Sequence, residues 1–180
     1  MKRKLIFALI IVSLGLFLLT YFKMNISDPE FMDDQLAEIE RLIPERDALN
    51  SEVSQVPIAW HLDHMLKTIN NICVALEASD PAEFESSFDF TRTMSLTLNY
   101  IPRGRAQAPD AVKPPDIIHT EALSAQLQEA RTRLQQAFQL DEDAHFDHPI
   151  FGTINRGNTL RFIEVHTNHH LKIINDILQQ

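Results

Sequence analysis

The chain has 180 residues, 44% of them hydrophobic, with four glycines and a formal net charge of -9. That length supports one domain with a core of its own, and so little glycine points to helices rather than a β-rich fold. The acidic balance argues against nucleic acid as a partner, because phosphates would be repelled. The single Cys73 excludes an internal disulfide and a multi-cysteine zinc site.

In chain order, Lys2, Arg3 and Lys4 precede an uncharged run from Leu5 to Phe22, closed by Lys23. Eighteen residues at about 1.5 Å rise span roughly 27 Å, close to the hydrocarbon thickness of a bilayer. No small-x-small pair follows the run, and Tyr21 and Phe22 suit a membrane interface, so it reads as an uncleaved anchor rather than a signal peptide. With the basic cluster first, the expected topology is single-pass, the N-terminus cytoplasmic and the domain extracytoplasmic. The chain thus divides into a cytoplasmic tip and transmembrane anchor, 1–24, and a helical domain, 25–180. Residues 1–23 hold four of the 16 basic residues and no acidic one, so the remainder is more acidic than the whole.

From Ser27 onward the pattern predicts a helical bundle. Ser27-Asp28-Pro29-Glu30 is a helix-start signature, predicting a helix from about Pro29 to Ile43 that stops near Pro44. Pro57 introduces a second helix to about Ala78, with Ile58, Leu62, Met65, Ile69, Ile72 and Leu76 on a 3.6-residue period. Ser79-Asp80-Pro81 is a break, and a helix over about Ala82 to Asn99 follows it. Another spans about Asp116 to Leu140, with Leu123, Leu127 and Leu134 facing inward. The last begins after Asn155 and runs to about Leu178. Neither strand alternation of any length nor an internal repeat is evident, so the fold class is all-α.

Two connections stand out. Residues 101–115 gather prolines with Arg103, Arg105 and Lys113, a basic loop in an acidic chain. It reads either as a contact for an anionic group or as a rigid surface connection with solvated arginines, as basic loops commonly are. The loop from Asp141 to Gly152 carries His148 and delivers the chain to the last helix; His148 reads as a partner behind a metal ligand, a substrate contact or an exposed loop residue.

The chemistry concentrates in Glu164-Val165-His166-Thr167-Asn168-His169-His170. His166 and His170, four apart, share one helix face and can grip one divalent ion at about 2 Å. Alone, such a pair is a weak motif. A third ligand must come from elsewhere, and Trp60-His61-Leu62-Asp63-His64 offers two candidates. Periodicity puts His61 nearer the apolar stripe and His64 at its edge, so by burial alone His61 is preferred. An edge position still suits a metal that must be reached from solvent. His169, about 60° around from His166, is a neighbour rather than a ligand. There is no His-Glu-x-x-His, so the metalloprotease pattern is absent.

These residues resemble the DinB-like superfamily of metal-dependent proteins, and a membrane-anchored branch of it. The resemblance rests on Trp60-His61-Leu62-Asp63-His64, His148-Pro149-Ile150-Phe151-Gly152 and His166-Thr167-Asn168-His169-His170, and covers roughly residues 28 to 180. It implies a four-helix bundle connected up-down-down-up, with a divalent metal on three histidines. In relatives with Trp-x-x-x-His the ligand is the histidine four after the tryptophan. The implied set is therefore His64, His166 and His170, against the choice that periodicity makes. His61, Asp63, His148, His169, Arg103 and Arg105 remain as candidates to support the ligands from behind or to touch a substrate. Asp63, Glu164 and His148 are near enough in sequence to serve as acid or base, but no catalytic residue is assigned.

Relatives include thiol-dependent transferases, isomerases and the metal-binding part of sulfoxide synthases. An extracytoplasmic domain would argue against cytoplasmic thiols as substrates. The implied protein is a membrane-anchored, metal-dependent hydrolase or transferase acting on an unidentified small molecule. The alternative is a non-catalytic anchored bundle that binds metal structurally or not at all. Three imidazoles suit zinc, nickel or iron alike. Self-association into a homodimer is a further expectation.

Overall fold

The computed structural model describes residues 7, 15, 26–104 and 107–179. It is mostly helical, with five α-helices among the described residues: α1 (Asp33–Leu42), α2 (Ile58–Ala78), α3 (Phe90–Leu98), α4 (Thr120–Phe138) and α5 (Arg156–Leu178). A two-stranded antiparallel hairpin, β1 (His145–His148) and β2 (Gly152–Asn155), precedes the last helix.

The helix α2 is the centre of the packing. It lies most extensively against α4 and next against α5, while α1 packs on α4 and α5, and α3 packs on α5. Leu62, Met65, Leu66, Ile69 and Leu76 of α2 meet Leu123, Leu127, Ala130 and Leu134 of α4 in the core. Leu160, Ile163, Ile174 and Ile177 bring α5 into the same core. Burying each such leucine or isoleucine contributes about 1.5–3 kcal/mol, so the stripes that define the helices also hold them together.

Three helices are shorter than the sequence pattern predicts, two of them because a local bond claims the intervening residues. Asp28 does accept a backbone N–H, from Glu30 at 2.9 Å, but this closes a turn, and α1 starts only at Asp33. Asp89 caps α3 by accepting from the Arg92 N–H at 2.6 Å, so the helix begins at Phe90 instead of near Ala82. Residues Pro81–Glu83 form only a 3-10 turn. Asn99, with φ of 51°, ends α3 in the left-handed region that asparagine tolerates better than most residues. After Pro114 and Pro115, α4 starts at Thr120.

The all-α expectation needs correction at residues 145–155, which form the hairpin. Its register pairs His145 with Asn155, Phe146 with Ile154, Asp147 with Thr153 and His148 with Gly152. Gly152 follows the turn at φ of 67°, where a side chain would be strained. The Thr153 hydroxyl donates to Asp147 Oδ1 at 2.6 Å across the strands. The Asn155 side chain then accepts from the Asn158 N–H at 3.1 Å, so β2 hands the chain straight into a capped helix.

The expected membrane topology is also corrected. No helix among the described residues is long and apolar enough to cross a membrane. Of the three of sufficient length, α4 carries Glu121, Glu129, Arg131 and Arg133 along it, while α2 and α5 hold Asp63, His61, His64, Arg161 and His170 buried against one another and their neighbours, an arrangement of helices inside a protein core. The anchor read over Leu5 to Phe22, and with it the 1–24 segment, lies outside the described residues except for Phe7 and Gly15. The single-pass assignment with an extracytoplasmic domain is therefore withdrawn.

Candidate metal centre

Pro57, extended at ψ of 168°, opens α2 and puts Trp60, His61 and His64 in its first two turns. Every residue from His61 to Leu66 is buried. With α4, α5 and the 3-10 turn Asp110–Val112 all packed on α2, this end of the helix has no solvent face on which a stripe edge could show. From α5, His170 is buried and His166 half-buried one turn before it.

His64, His166 and His170 converge. One ring nitrogen from each lies within 4.8 Å of the others. The closest pair, His64 Nε2 and His166 Nε2, is 3.2 Å apart. Two nitrogens bonded tetrahedrally to one zinc ion would be separated by about 3.3 Å, so this pair stands at ligand spacing. The rings of His166 and His170 are 4.6 Å apart between centroids, and those of His64 and His170 4.8 Å.

Each side of the cluster is held. His64 Nδ1 lies 3.0 Å from the Val112 carbonyl, an acceptor only, so that nitrogen carries the proton and Nε2 keeps its lone pair. Trp60 stacks on the same ring at 5.0 Å. Further along α2, Lys67 donates to the Lys113 carbonyl at 3.3 Å and Asn71 to the Ala111 carbonyl at 2.9 Å. The proline-rich connection is thus fastened to α2 along three successive backbone carbonyls, one of which orients His64. Val112 acts through its backbone, so its identity carries no sequence signal. His61 does not join the three; its Nδ1 is 3.0 Å from His170 Nδ1, and its Nε2 is 3.0 Å from Ser54 Oγ.

Burial holds all four imidazoles below the ordinary histidine pKa. His61 is pushed down to about 4, by burial first and then by the nearby imidazoles and Arg103. Burial likewise lowers His64, and it takes His166 and His170 well below their usual value, with help from neighbouring histidines. These rings are neutral near pH 7, the form in which imidazole binds a metal without first losing a proton.

A family model, the DinB superfamily, matches residues 31–174. The chain belongs to the DinB superfamily. The match carries no indication of a membrane-anchored branch, and no curated protein and no solved structure matches the chain. In this DinB-superfamily chain, three neutral imidazoles at this spacing fit a divalent ion, and an all-nitrogen set suits zinc, nickel, iron or copper.

The remaining sequence candidates are placed less centrally. Asp63 Oδ1 accepts from Gln126 at 2.9 Å, and Oδ2 pairs with Lys67 at 2.7 Å. Its carboxylate therefore belongs to the α2–α4 contact. Glu164 pairs with Arg161 at 2.5 Å. His148 Nδ1 accepts the N–H groups of Ile150 and Phe151, both at 3.1 Å, which closes the hairpin turn. Its ring packs edge-on against Phe162 at 4.5 Å, and Phe162 lies 5.6 Å from His166, so an aromatic wall stands between the hairpin and the histidine cluster. Burial pushes His148 down to about 4.

His169, Arg103 and Lys172 line a cavity of about 470 Å³ with Asn99, Tyr100, Ile101 and Pro102. Arg103 also pairs with Asp176 at 2.7 Å. Arg105 lies outside the described residues.

Proposed function

We propose that the chain is a metal-dependent enzyme of hydrolase or transferase type, with His64, His166 and His170 holding one divalent ion. The observation that carries this reading is the convergence of three buried or half-buried imidazoles from two helices, all held neutral. Membership of the DinB superfamily supports it. The same reading takes α1, α2, α4 and α5 as the family's four-helix bundle, connected up-down-down-up.

When bound, the ion supplies Lewis-acid chemistry, polarising a substrate oxygen or sulfur or making a water more acidic. The chain's own residues do the rest. Val112 and Trp60 fix the His64 ring. Phe162 and Phe151 shield the hairpin side. His166, half-buried, marks the edge through which a substrate reaches the site. On the His170 side, His169 packs edge-on against His170 at 5.0 Å and lines a cavity with Arg103 and Lys172, which favours a small substrate with an anionic group.

Elemental analysis of the full chain, purified without a chelator or a histidine tag, tests the metal site. About one ion per chain is expected, and each of His64→Ala, His166→Ala and His170→Ala should lose most of it while far-UV circular dichroism stays unchanged. No ion after adding back zinc, nickel and iron removes the metal reading. Turnover in a screen of ester, amide and thiol-transfer substrates, lost in the same variants, supports an enzyme. Stabilisation by the ion with no turnover in that screen favours a structural metal.

A further inference from the structure

His61 is buried at the opening of α2, touches His170, and is not one of the converging three. Its two nitrogens each have one partner. Nδ1 meets His170 Nδ1 at 3.0 Å, and Nε2 meets Ser54 Oγ at 3.0 Å. Beyond it, the Ser54 hydroxyl donates to the Val56 carbonyl at 2.9 Å, and its oxygen accepts from the Val56 N–H at 3.2 Å.

A carbonyl only accepts, so when the Ser54 proton points to the Val56 carbonyl the direction of every bond behind it is set. With the Ser54 proton on Val56, Ser54 accepts from His61 Nε2–H, and the unprotonated His61 Nδ1 accepts from His170 Nδ1–H. His170 is then left with a lone pair on Nε2. In the opposite register Ser54 donates to His61, His61 donates to His170 Nδ1, and His170 Nε2 carries the proton, which closes that atom to a metal. The two registers differ only in where three protons sit, and an ion at His170 Nε2 tolerates one of them.

Resting on the three-histidine reading above, we propose that His61 is a positioning residue for the metal site. Its Nδ1 accepts a hydrogen bond from His170 Nδ1–H while its Nε2–H donates to Ser54, whose hydroxyl donates to the Val56 carbonyl, and this presents the His170 Nε2 lone pair to the ion. Metal ligands are generally oriented by a partner on their other ring nitrogen, and loss of that partner weakens binding by about 10–100-fold without removing a ligand. His64 has a backbone carbonyl in that role; His170 has an imidazole backed by a hydroxyl. The loop 50–57 is thereby coupled to occupancy of the site, since Ser54 and Val56 hold the far end of the relay.

The test is titration of the full wild-type chain and of His61→Ala, His61→Asn and Ser54→Ala with zinc and with cobalt(II). Expected is one ion per chain in all four, with affinity about 10–100-fold weaker in His61→Ala. His61→Asn should recover part of the loss, because its amide oxygen reaches the place of Nδ1 and accepts the same proton. Cobalt absorption bands at unchanged energies would show an unchanged ligand set. In the zinc-loaded wild type, long-range proton–nitrogen spectra should show His170 protonated at Nδ1. A stoichiometry near zero in both folded His61 variants would make His61 a ligand and overturn the proposal. So would unchanged affinity in His61→Ala, or His170 protonated at Nε2. If the wild type itself binds neither ion, the metal reading falls and takes this proposal with it; if it binds and His61→Ala binds equally, this proposal alone fails.

Discussion

Asp63 precedes His64 by one residue, yet its carboxylate is occupied by Gln126 of α4 and by Lys67 one turn on. A buried carboxylate held this way serves the helix contact, and its loss leaves a lysine and an amide without their partner. Asp63→Ala should lower stability by about 2 kcal/mol, since Lys67 is partly solvated and recovers some hydration. Metal stoichiometry should stay at the wild-type value. Urea unfolding alongside elemental analysis reads both, and loss of the ion with unchanged stability would put Asp63 at the metal instead. At this scale the sequence is legible only in part. Periodicity ranks His61 above His64, because it assumes one buried face and one solvated one. The first turns of α2 are enclosed by α4, α5 and residues 110–113, so both are buried and the ranking loses its basis. Ser54 and Val112 leave no trace either, one being an ordinary loop serine and the other acting through its backbone.

The hairpin shows the corresponding limit for elements. Each strand has four residues, too few for an alternation to stand out, and β1 reads His-Phe-Asp-His, with little of the β-branched character that marks strands. The long helices α2 and α5 could be read because Ile58 to Leu76 and Leu160 to Ile177 repeat their apolar positions over five turns or more. What fastens the hairpin to the helices is a residue with no apolar signature. Arg92, buried on α3, donates to the carbonyls of Phe151 at 3.2 Å and Thr153 at 3.3 Å, and also to that of Ser87. Arg92→Leu keeps some of the packing volume but strands these carbonyls. It should cost about 2–4 kcal/mol, given that bonds from a charged donor are each worth about 1.5–3 kcal/mol and part is regained from water. Amide exchange should quicken first over residues 145–155, ahead of α2 and α4. Uniform acceleration over all elements would show that Arg92 supports the whole core instead.

For the whole molecule, the buried histidines tie stability to pH and to metal. His61 and His148 are both held down to about 4 by burial. An unfolded histidine titrates near 6.5, so between these values the unfolded chain binds more protons than the folded one, and stability falls as pH falls. The contribution is complete above about 6.5 and is lost as pH drops through about 4. His64, His166 and His170 shift in the same direction for the same reason, so their losses add. Metal-free protein should therefore lose about 5 °C or more of Tm between pH 7 and pH 4.5.

An ion on the three imidazoles steepens this dependence, because the same protons that favour unfolding also compete for the ligands. At pH 7, zinc at a hundred times its dissociation constant adds about 2.7 kcal/mol, or roughly 5–10 °C of Tm for a chain of this size. Toward pH 4.5 that increment should shrink and the two melting curves converge, while at pH 7 a chelator should return the loaded protein to the metal-free value. Calorimetry with and without zinc across this range checks both limbs. A flat metal-free Tm would mean that the histidines are solvated and ordinary in titration. A zinc increment that persists unchanged at pH 4.5 would mean that the ion is held by carboxylates, and the three imidazoles would lose their claim to it.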